Sequence, residues 1–367
     1  MHVLFVGPFP WPSHQGSQAY LASQARGLVA RGHRVTVAVY GGGSGGGIPG
    51  ATVLRARTVP GGAFTDGGLH WSRPFADLAL ARTIRRYVDA EDVDVLHAHN
   101  VEGPLVARLA RTGRPIVYDL HTEMADELVT HLPTALRPLG TPVGRRLDRL
   151  AMASAHVGCA ISTSAHRVLR AAGLPTVMVG PGVDPTELVA RPDSARRHDL
   201  PARFIAYTGN LDAYQDLPLL YDALPAIDVP LVVVTGSADP VPRGVVVRRT
   251  RDHRDALDVL AHADLAVVPR QRCTGFPIKL LNHLGMGCPT VVLDPEPPRI
   301  PGIVGTTPDR LASTVNALLA APDTLRRLGD QARAAILSDW TIAARTARLE
   351  ALYALALTGS ARPARPG

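Results

Sequence analysis

Apolar residues recur with two different periods in this sequence, and the two periods alternate. Val3–Val6 is a short continuous apolar run, which predicts a buried strand. Ser17–Arg31 carries Tyr20, Leu21, Gln24, Leu28 and Val29 at helical spacing and ends at Gly32, which predicts a helix. Arg34–Tyr40 places Val35, Val37 and Val39 two apart, the period of a strand. Further strands are expected near Thr52–Arg55, Val93–His97, Pro115–Leu120, Val157–Ile161 and Val177–Val179, with helices near Ala76–Val88, Pro104–Arg111 and Ser164–Ala172. A second cycle begins after Gly180–Asp184. Its strands are expected at Phe204–Thr208, Leu231–Thr235, Val245–Arg248, Leu265–Val268 and Thr290–Leu293, and its helices at Asp216–Ala223, Arg254–Ala261 and Pro277–Met286. Three helices, near Arg310–Leu319, Leu325–Ile336 and Thr341–Leu355, close the chain.

Alternation of this kind specifies parallel sheets covered by helices. The expected fold class is α/β, with two doubly wound Rossmann-like domains facing across a cleft. The first spans 1–182 and the second 183–340. A helix over 341–359 is expected to pack back on the first domain, and 360–367 reads as a disordered tail. Ligands of such sheets bind at the carboxyl ends of the strands.

Composition narrows this picture. A chain of 367 residues that is 46% hydrophobic can bury two cores. Cys159, Cys273 and Cys288 have no metal-ligand spacing and argue against a disulfide framework, which fits a reducing cytoplasm. Val3–Val6 is too short for a signal-peptide core, and no apolar run approaches the roughly 20 residues that span a bilayer. The net charge of +7 attracts phosphates. Aromatics at 5% leave few stacking platforms, so nucleic acid is not the expected partner. Among 39 basic residues Lys279 is the only lysine, which marks a place suited to a compact ammonium.

Four segments carry candidate chemistry. Gly7–Ser17 lies between the first strand and first helix, where N–H groups are free for a phosphate or sugar, yet it lacks GxGxxG and GxxxxGK[ST]. His97 and His99 share a strand face, and His121 and Glu123 follow the next strand; no third metal ligand is evident, and no metal is expected. Tyr207–Asn210 is a glycine-bearing turn before a helix, with Asn210 and Gln215 as neutral donors. Arg270–Asn282 places Gly275, Phe276 and Pro277 before a helix whose first turn holds Lys279, with Asn282 on the same face. A lysine there is unfavourable with the helix dipole and makes sense if an anion binds. Separately, Arg137, Arg145, Arg146 and Arg149 share an amphipathic stretch with Leu136, Leu139, Val143, Leu147 and Leu150. A solvated face or a peripheral contact with the inner membrane surface fits it.

This layout resembles the GT-B-fold glycosyltransferases, in particular the retaining family 4, over nearly the whole chain. Gln15-Gly16-Ser17 sits at the family's acceptor loop, Arg31–Val37 at its link into the second strand, and Asp94–His99 at a strand-end signature. Pro181–Asp184 is similar to the interdomain linker, and Ala263–Pro269 with Gly275–Val292 to the donor domain. The family's two glutamates, eight positions apart, are replaced by Thr274 and Asn282, and its Arg and Lys after the first donor-domain strand by Asn210 and Gln215. The resemblance implies metal-independent sugar transfer with retention of configuration from a nucleotide-diphosphate sugar, UDP- or GDP-linked, to a small polar or lipid-linked acceptor. On that reading Lys279 and His121 are catalytic. Gly209, Asn210, Gln215, Gly236, Arg270, Arg272, Thr274, Gly275, Phe276, Pro277, Leu280 and Asn282 bind donor, while Gln15, Gly16, Ser17, His99 and Glu123 bind acceptor. A non-catalytic nucleotide-sugar binder and a GT-B-fold epimerase remain alternatives.

Overall fold

The computed structural model describes residues 1–12, 16–43, 45–61, 70–132, 134–194, 199–271, 275–294 and 297–359. The described residues divide into two compact units. The first runs through 1–182 and includes the C-terminal helix, Ile342–Gly359. Gly275 and Phe276 also group with it, and the remainder of 183–341 forms the second unit.

The first unit follows the order β1 (His2–Gly7), α1 (Gly16–Ala30), β2 (Arg34–Val39), β3 (Thr52–Arg55), α2 (Arg73–Ala90), β4 (Val95–His99), α3 (Glu102–Ala110), β5 (Ile116–Leu120), α4 (Met124–His131), α5 (Arg137–Ser154), β6 (Val157–Ala160), α6 (Thr163–Ala171) and β7 (Thr176–Met178). Its seven-stranded sheet has the order β3-β2-β1-β4-β5-β6-β7. The pairings among described residues are parallel. One face packs on α1 and the C-terminal helix through Val3, Phe5, Leu21, Leu28, Leu349 and Leu352. The opposite face packs on α2 and α3 through Leu4, Leu96, Leu80, Ile84 and Val106. β4 starts and ends two residues later than the apolar run Val93–His97, because pairing with β1 begins at Val95 opposite Val3. That shift makes His99 the last residue of the strand.

Periodicity alone gave no helix at α4, an eight-residue element. Tertiary contacts stabilise it. The Asp148 carboxylate of α5 accepts the Met124 and Ala125 N–H groups at 2.9 and 3.0 Å, satisfying two otherwise orphaned donors of the first turn. A Cβ on Gly144 would stand 2.4 Å from the Met124 carbonyl, so only glycine lets α5 come this close. The segment after β5 is thereby fixed.

The second unit repeats the plan on a smaller sheet. It contains β8 (Ile205–Thr208), α7 (Leu217–Ala223), β9 (Leu231–Thr235), β10 (Val246–Arg249), α8 (His253–Leu260), β11 (Leu265–Val268), α9 (Lys279–Gly285), β12 (Thr290–Val292), β13 (Ile303–Gly305), α10 (Leu311–Leu319) and α11 (Pro322–Asp339). The six strands run β10-β9-β8-β11-β12-β13, again parallel. Among the described residues no helix is long and apolar enough to cross a membrane.

Candidate active site

Each sheet reverses its strand order at one place: between β1 and β4 in the first unit, and between β8 and β11 in the second. Helices leave toward opposite faces there, and the carboxyl ends of those strands form the natural crevice. The sequence candidates concentrate at these two ends.

At the second unit's switch point, β8 ends at Thr208 and turns at Gly209, whose φ is 136°. A Cβ there would be strained at this φ and would stand 2.8 Å from Lys279 Nζ, so glycine lets the ammonium lie against this turn without shifting. Lys279 is the first residue of α9. Its Nζ donates to Gln215 Oε1 at 2.9 Å and to the Tyr207 hydroxyl at 3.2 Å, and sits 4.4 Å from the centre of the Tyr207 ring. Gln215 in turn donates to Asn210 Oδ1 at 2.8 Å, and Asn210 donates to the Tyr214 hydroxyl at 2.8 Å. Arg270 lies over the Tyr214 ring, 5.2 Å from its centre.

The helix carrying Lys279 is pinned one turn further on. His283 is fully buried and pairs with Thr208 Oγ1 at 2.8 Å, tying α9 to the end of β8. Burial, and then the charge of Lys279, lower its pKa from 6.5 to about 3, so this imidazole is neutral near pH 7. Two candidates in the segment fall outside a binding role or differ in place. Leu280 is a correction: its side chain is fully buried against Val268 and Val292, so it belongs to the core. The helix begins at Lys279, leaving Pro277 before it as acceptor of the Leu280 N–H. Asn282 is half-buried on α9, and Gly236 is exposed after β9. Gly275 has a φ of 130° and groups with the first unit, where a Cβ would stand 3.0 Å from the His121 carbonyl oxygen. Phe276, also of that group, is buried. Arg272, Thr274 and Gln15 lie outside the described residues, as does the expected tail at 360–367.

At the first unit's switch point the parallel register does what sequence spacing could not. It sets His99 beside Asp119 and Asp119 beside Cys159. Alternation turns His97, His99, Asp119, His121 and Cys159 to the face covered by α1 and the C-terminal helix. Asp119 is fully buried and accepts from Gln24 Nε2 of α1 at 2.8 Å and His97 Nε2 at 3.1 Å. His97 Nδ1 meets the Tyr353 hydroxyl of the C-terminal helix at 2.6 Å. His99 Nδ1 lies 3.0 Å from His121 Nε2, and that nitrogen is 3.6 Å from Asp119 Oδ1. Burial by itself pushes the Asp119 carboxyl up, but the His97 hydrogen bond and the surrounding imidazoles outweigh it and hold it below the usual carboxylate range. Burial lowers both His99 and His121.

Asp119 was not among the sequence candidates, yet it brings a third ligand-type group to His97 and His99, all three within 4.8 Å. The fit to a metal is poor: both His97 nitrogens are engaged, and the two imidazoles stack at 4.8 Å and 14° rather than converging on one point. His99 is also more deeply placed than an acceptor contact needs, with no exposed surface. His121 retains 7% exposure at the edge, and Glu123, half-buried, precedes α4. Gly16 and Ser17 open α1, exposed and half-buried.

Two parallel α/β units, each with its polar cluster at a switch point, define the class of GT-B glycosyltransferases. Two family models match in succession: Glycosyltransferase Family 4 over residues 14–187 and Glycosyl transferases group 1 over residues 202–336. The chain belongs to this glycosyltransferase family, which uses nucleotide-sugar donors. Among solved structures it is similar to sucrose-phosphate synthase from Thermosynechococcus elongatus, at 16% identity over 96% of this chain and 98% of that one, with a TM-score of 0.78. HepE from Anabaena, in complex with UDP and glucose, is also 16% identical, covers 96% and 98% of the two chains and has a TM-score of 0.70. WaaG, a glycosyltransferase of lipopolysaccharide biosynthesis, is 12% identical over 96% and 99%, with a TM-score of 0.63. No curated protein matches the chain.

Proposed function

We propose that this chain transfers a sugar from a nucleotide-diphosphate sugar to a hydroxyl acceptor with retention of configuration, and that Lys279 supplies the charge that stabilises the departing diphosphate in place of a metal ion. The observation that carries this reading is the grip on Lys279. A glycine turn, a phenol and an amide oxygen hold its ammonium at the start of a helix and at the end of β8. Positive charge fixed in advance at the point where negative charge develops is the largest single contribution many enzymes make. Gly209, Asn210, Gln215 and Arg270 complete the donor edge, with Asn282 replacing a carboxylate at the ribose. HepE binds UDP and glucose, which favours a UDP-linked donor. His121 then contacts the sugar, with Gly16, Ser17 and Glu123 on the acceptor side.

Exposed residues of α5 bear on the acceptor. Leu139, Val143 and Leu150 repeat at intervals of four and seven, so they form one exposed stripe, and Arg145, Arg146 and Arg149 are exposed beside it. An apolar stripe flanked by arginines suits an anionic lipid surface, which favours a lipid-linked acceptor over a small polar one.

A thermal-shift panel of UDP, GDP, ADP and dTDP tests the donor edge, since a ligand stabilises the folded state according to its affinity. UDP is expected to raise the melting temperature most, and the Lys279→Ala variant to lose that shift. Absence of a shift with all four nucleotides overturns the donor assignment. Transfer by Lys279→Ala at the wild-type rate overturns its catalytic role, and a rate that falls with EDTA overturns metal independence. Sedimentation with phosphatidylglycerol vesicles, lost in Val143→Glu, tests the lipid reading.

A further inference from the structure

Three imidazoles and one carboxylate share a buried space at the ends of β4 and β5, and the bonding among them is not symmetrical. His97 has two partners of known polarity. The Tyr353 hydroxyl, which burial keeps protonated, donates to Nδ1, so the His97 proton resides on Nε2 and is donated to Asp119. Gln24 from α1 donates a second hydrogen bond to the same carboxylate oxygen. Asp119 is therefore held as an anion with its other oxygen, Oδ1, directed at His121 Nε2 at 3.6 Å.

His121 must place its single proton on one of two nitrogens. Nε2 points inward, 3.0 Å from His99 Nδ1. Nδ1 lies across the ring of a residue that retains 7% exposure. If the proton sat on Nδ1, the Nε2 lone pair would face a carboxylate. With the proton on Nε2, the N–H faces the carboxylate and His99 Nδ1, at the cost of placing the His99 proton on its buried Nε2, which has no hydrogen-bond partner among the described residues. We infer that Asp119 and His99 are positioning residues that hold His121 as its Nε2–H tautomer, so that Nδ1 presents a lone pair outward and selects a ligand group that donates a hydrogen bond. This rests on the proposed role of His121 at the sugar. It sharpens that role: the group His121 recognises is a hydroxyl used as a donor.

The other groups around the cluster agree. The Tyr20 ring packs edge-on to His121 at 5.2 Å with its buried hydroxyl beside Asp119 and Cys159, and Phe5 stacks on His97 at 4.9 Å. Cys159, across from Asp119 on β6, stays a neutral thiol because burial raises it. Glu127 of α4 is the remaining acid that acts on His121, and it too favours a proton on the ring. The C-terminal helix thus reaches the strand ends of the first sheet through Tyr353, His97 and Asp119 in turn.

Nitrogen NMR of the full chain labelled with ¹⁵N-histidine reads the tautomer directly, and His121→Gln identifies the His121 signals. The expected result is a protonated Nε2 and an unprotonated Nδ1 for His121 at pH 7.5, with the two forms mixing in Asp119→Asn. A His121 that carries its proton on Nδ1 in the wild type overturns the inference, and so does an Asp119→Asn spectrum in which the His121 pattern is unchanged. The wild-type measurement decides even if the Asp119 variant fails to fold. Neither readout uses turnover, so failure of the transfer reading and failure of this one are separable. In transfer assays, Asp119→Asn is expected to lower kcat about tenfold and to alter its pH profile.

Discussion

The two switch points use charge in opposite ways. In the first unit the charge is a carboxylate, fully buried and bonded by side chains that donate to it. In the second it is an ammonium, half-buried and gripped by an amide oxygen and a phenol. A buried anion with several donors fixes the geometry of its neighbours and is costly to disturb. On the proposed reading one end positions and the other supplies charge, although both arise from the same strand-to-helix turn.

If that contrast is right, the largest effect comes from removing the ammonium. Lys279→Ala is expected to lower kcat by about 10²–10³-fold, measured as sugar released or transferred at saturating donor. Lys279→Arg should recover little, because the planar guanidinium does not fit where Gly209, Tyr207 and Gln215 close on Nζ. Equal activity in the arginine variant would mean that charge alone, without the fitted geometry, suffices.

Gly209→Ala asks the same question without touching a charge. The new Cβ meets Nζ at 2.8 Å and strains a φ of 136°. Moving a fixed group by about 1 Å can cost up to about 10²-fold, so a loss of about 10–100-fold in kcat/KM is expected in steady-state kinetics.

On the first unit's side the expected change is in stability. Tyr353→Phe removes the donor to His97 Nδ1 and leaves a buried nitrogen without that partner. Loss of about 1–2 kcal/mol follows, readable as a lower urea midpoint at unchanged slope.

The smallest effect concerns His283, which anchors the lysine's helix. Its folded pKa is about 3 against 6.5 for a free imidazole. Between those values the unfolded chain binds a proton that the folded chain does not, so stability is present above pH 6.5 and is lost as pH falls. The slope is about 1 kcal/mol per pH unit between pH 6 and 5. In His283→Gln this part of the slope should vanish, even though the variant is less stable at pH 7. Urea curves at three pH values measure it, and an unchanged slope would show that His283 is protonated in the fold.

Much of the architecture was legible from local periodicity. Strands such as Arg34–Val39 and Leu231–Thr235 carry their own pattern, and the helix opened by Gly16 shows its apolar face in Tyr20, Leu21 and Leu28. The helix α4 was not legible, since its support comes from Asp148 and Gly144, about twenty residues away. Among the candidates, Lys279 could be found because it is the chain's lone lysine. Leu280, its neighbour, was misread because adjacent helix positions point in different directions, one to the turn after β8 and one to the core.

Sequence by itself therefore determined the alternation of elements, two units, the turn that needs glycine before its helix and the residue types at two strand ends. Only the tertiary structure decided that Asp119, His97, His99, His121, Gln24 and Tyr353 form one network. Directly bonded members are separated along the chain by up to 256 residues, between His97 and Tyr353. Strand register and the docking of the C-terminal helix bring them within hydrogen-bonding distance, and those depend on how whole elements bury their apolar faces. Local spacing carries the propensity of a segment, but the partner of a buried charge is chosen by packing.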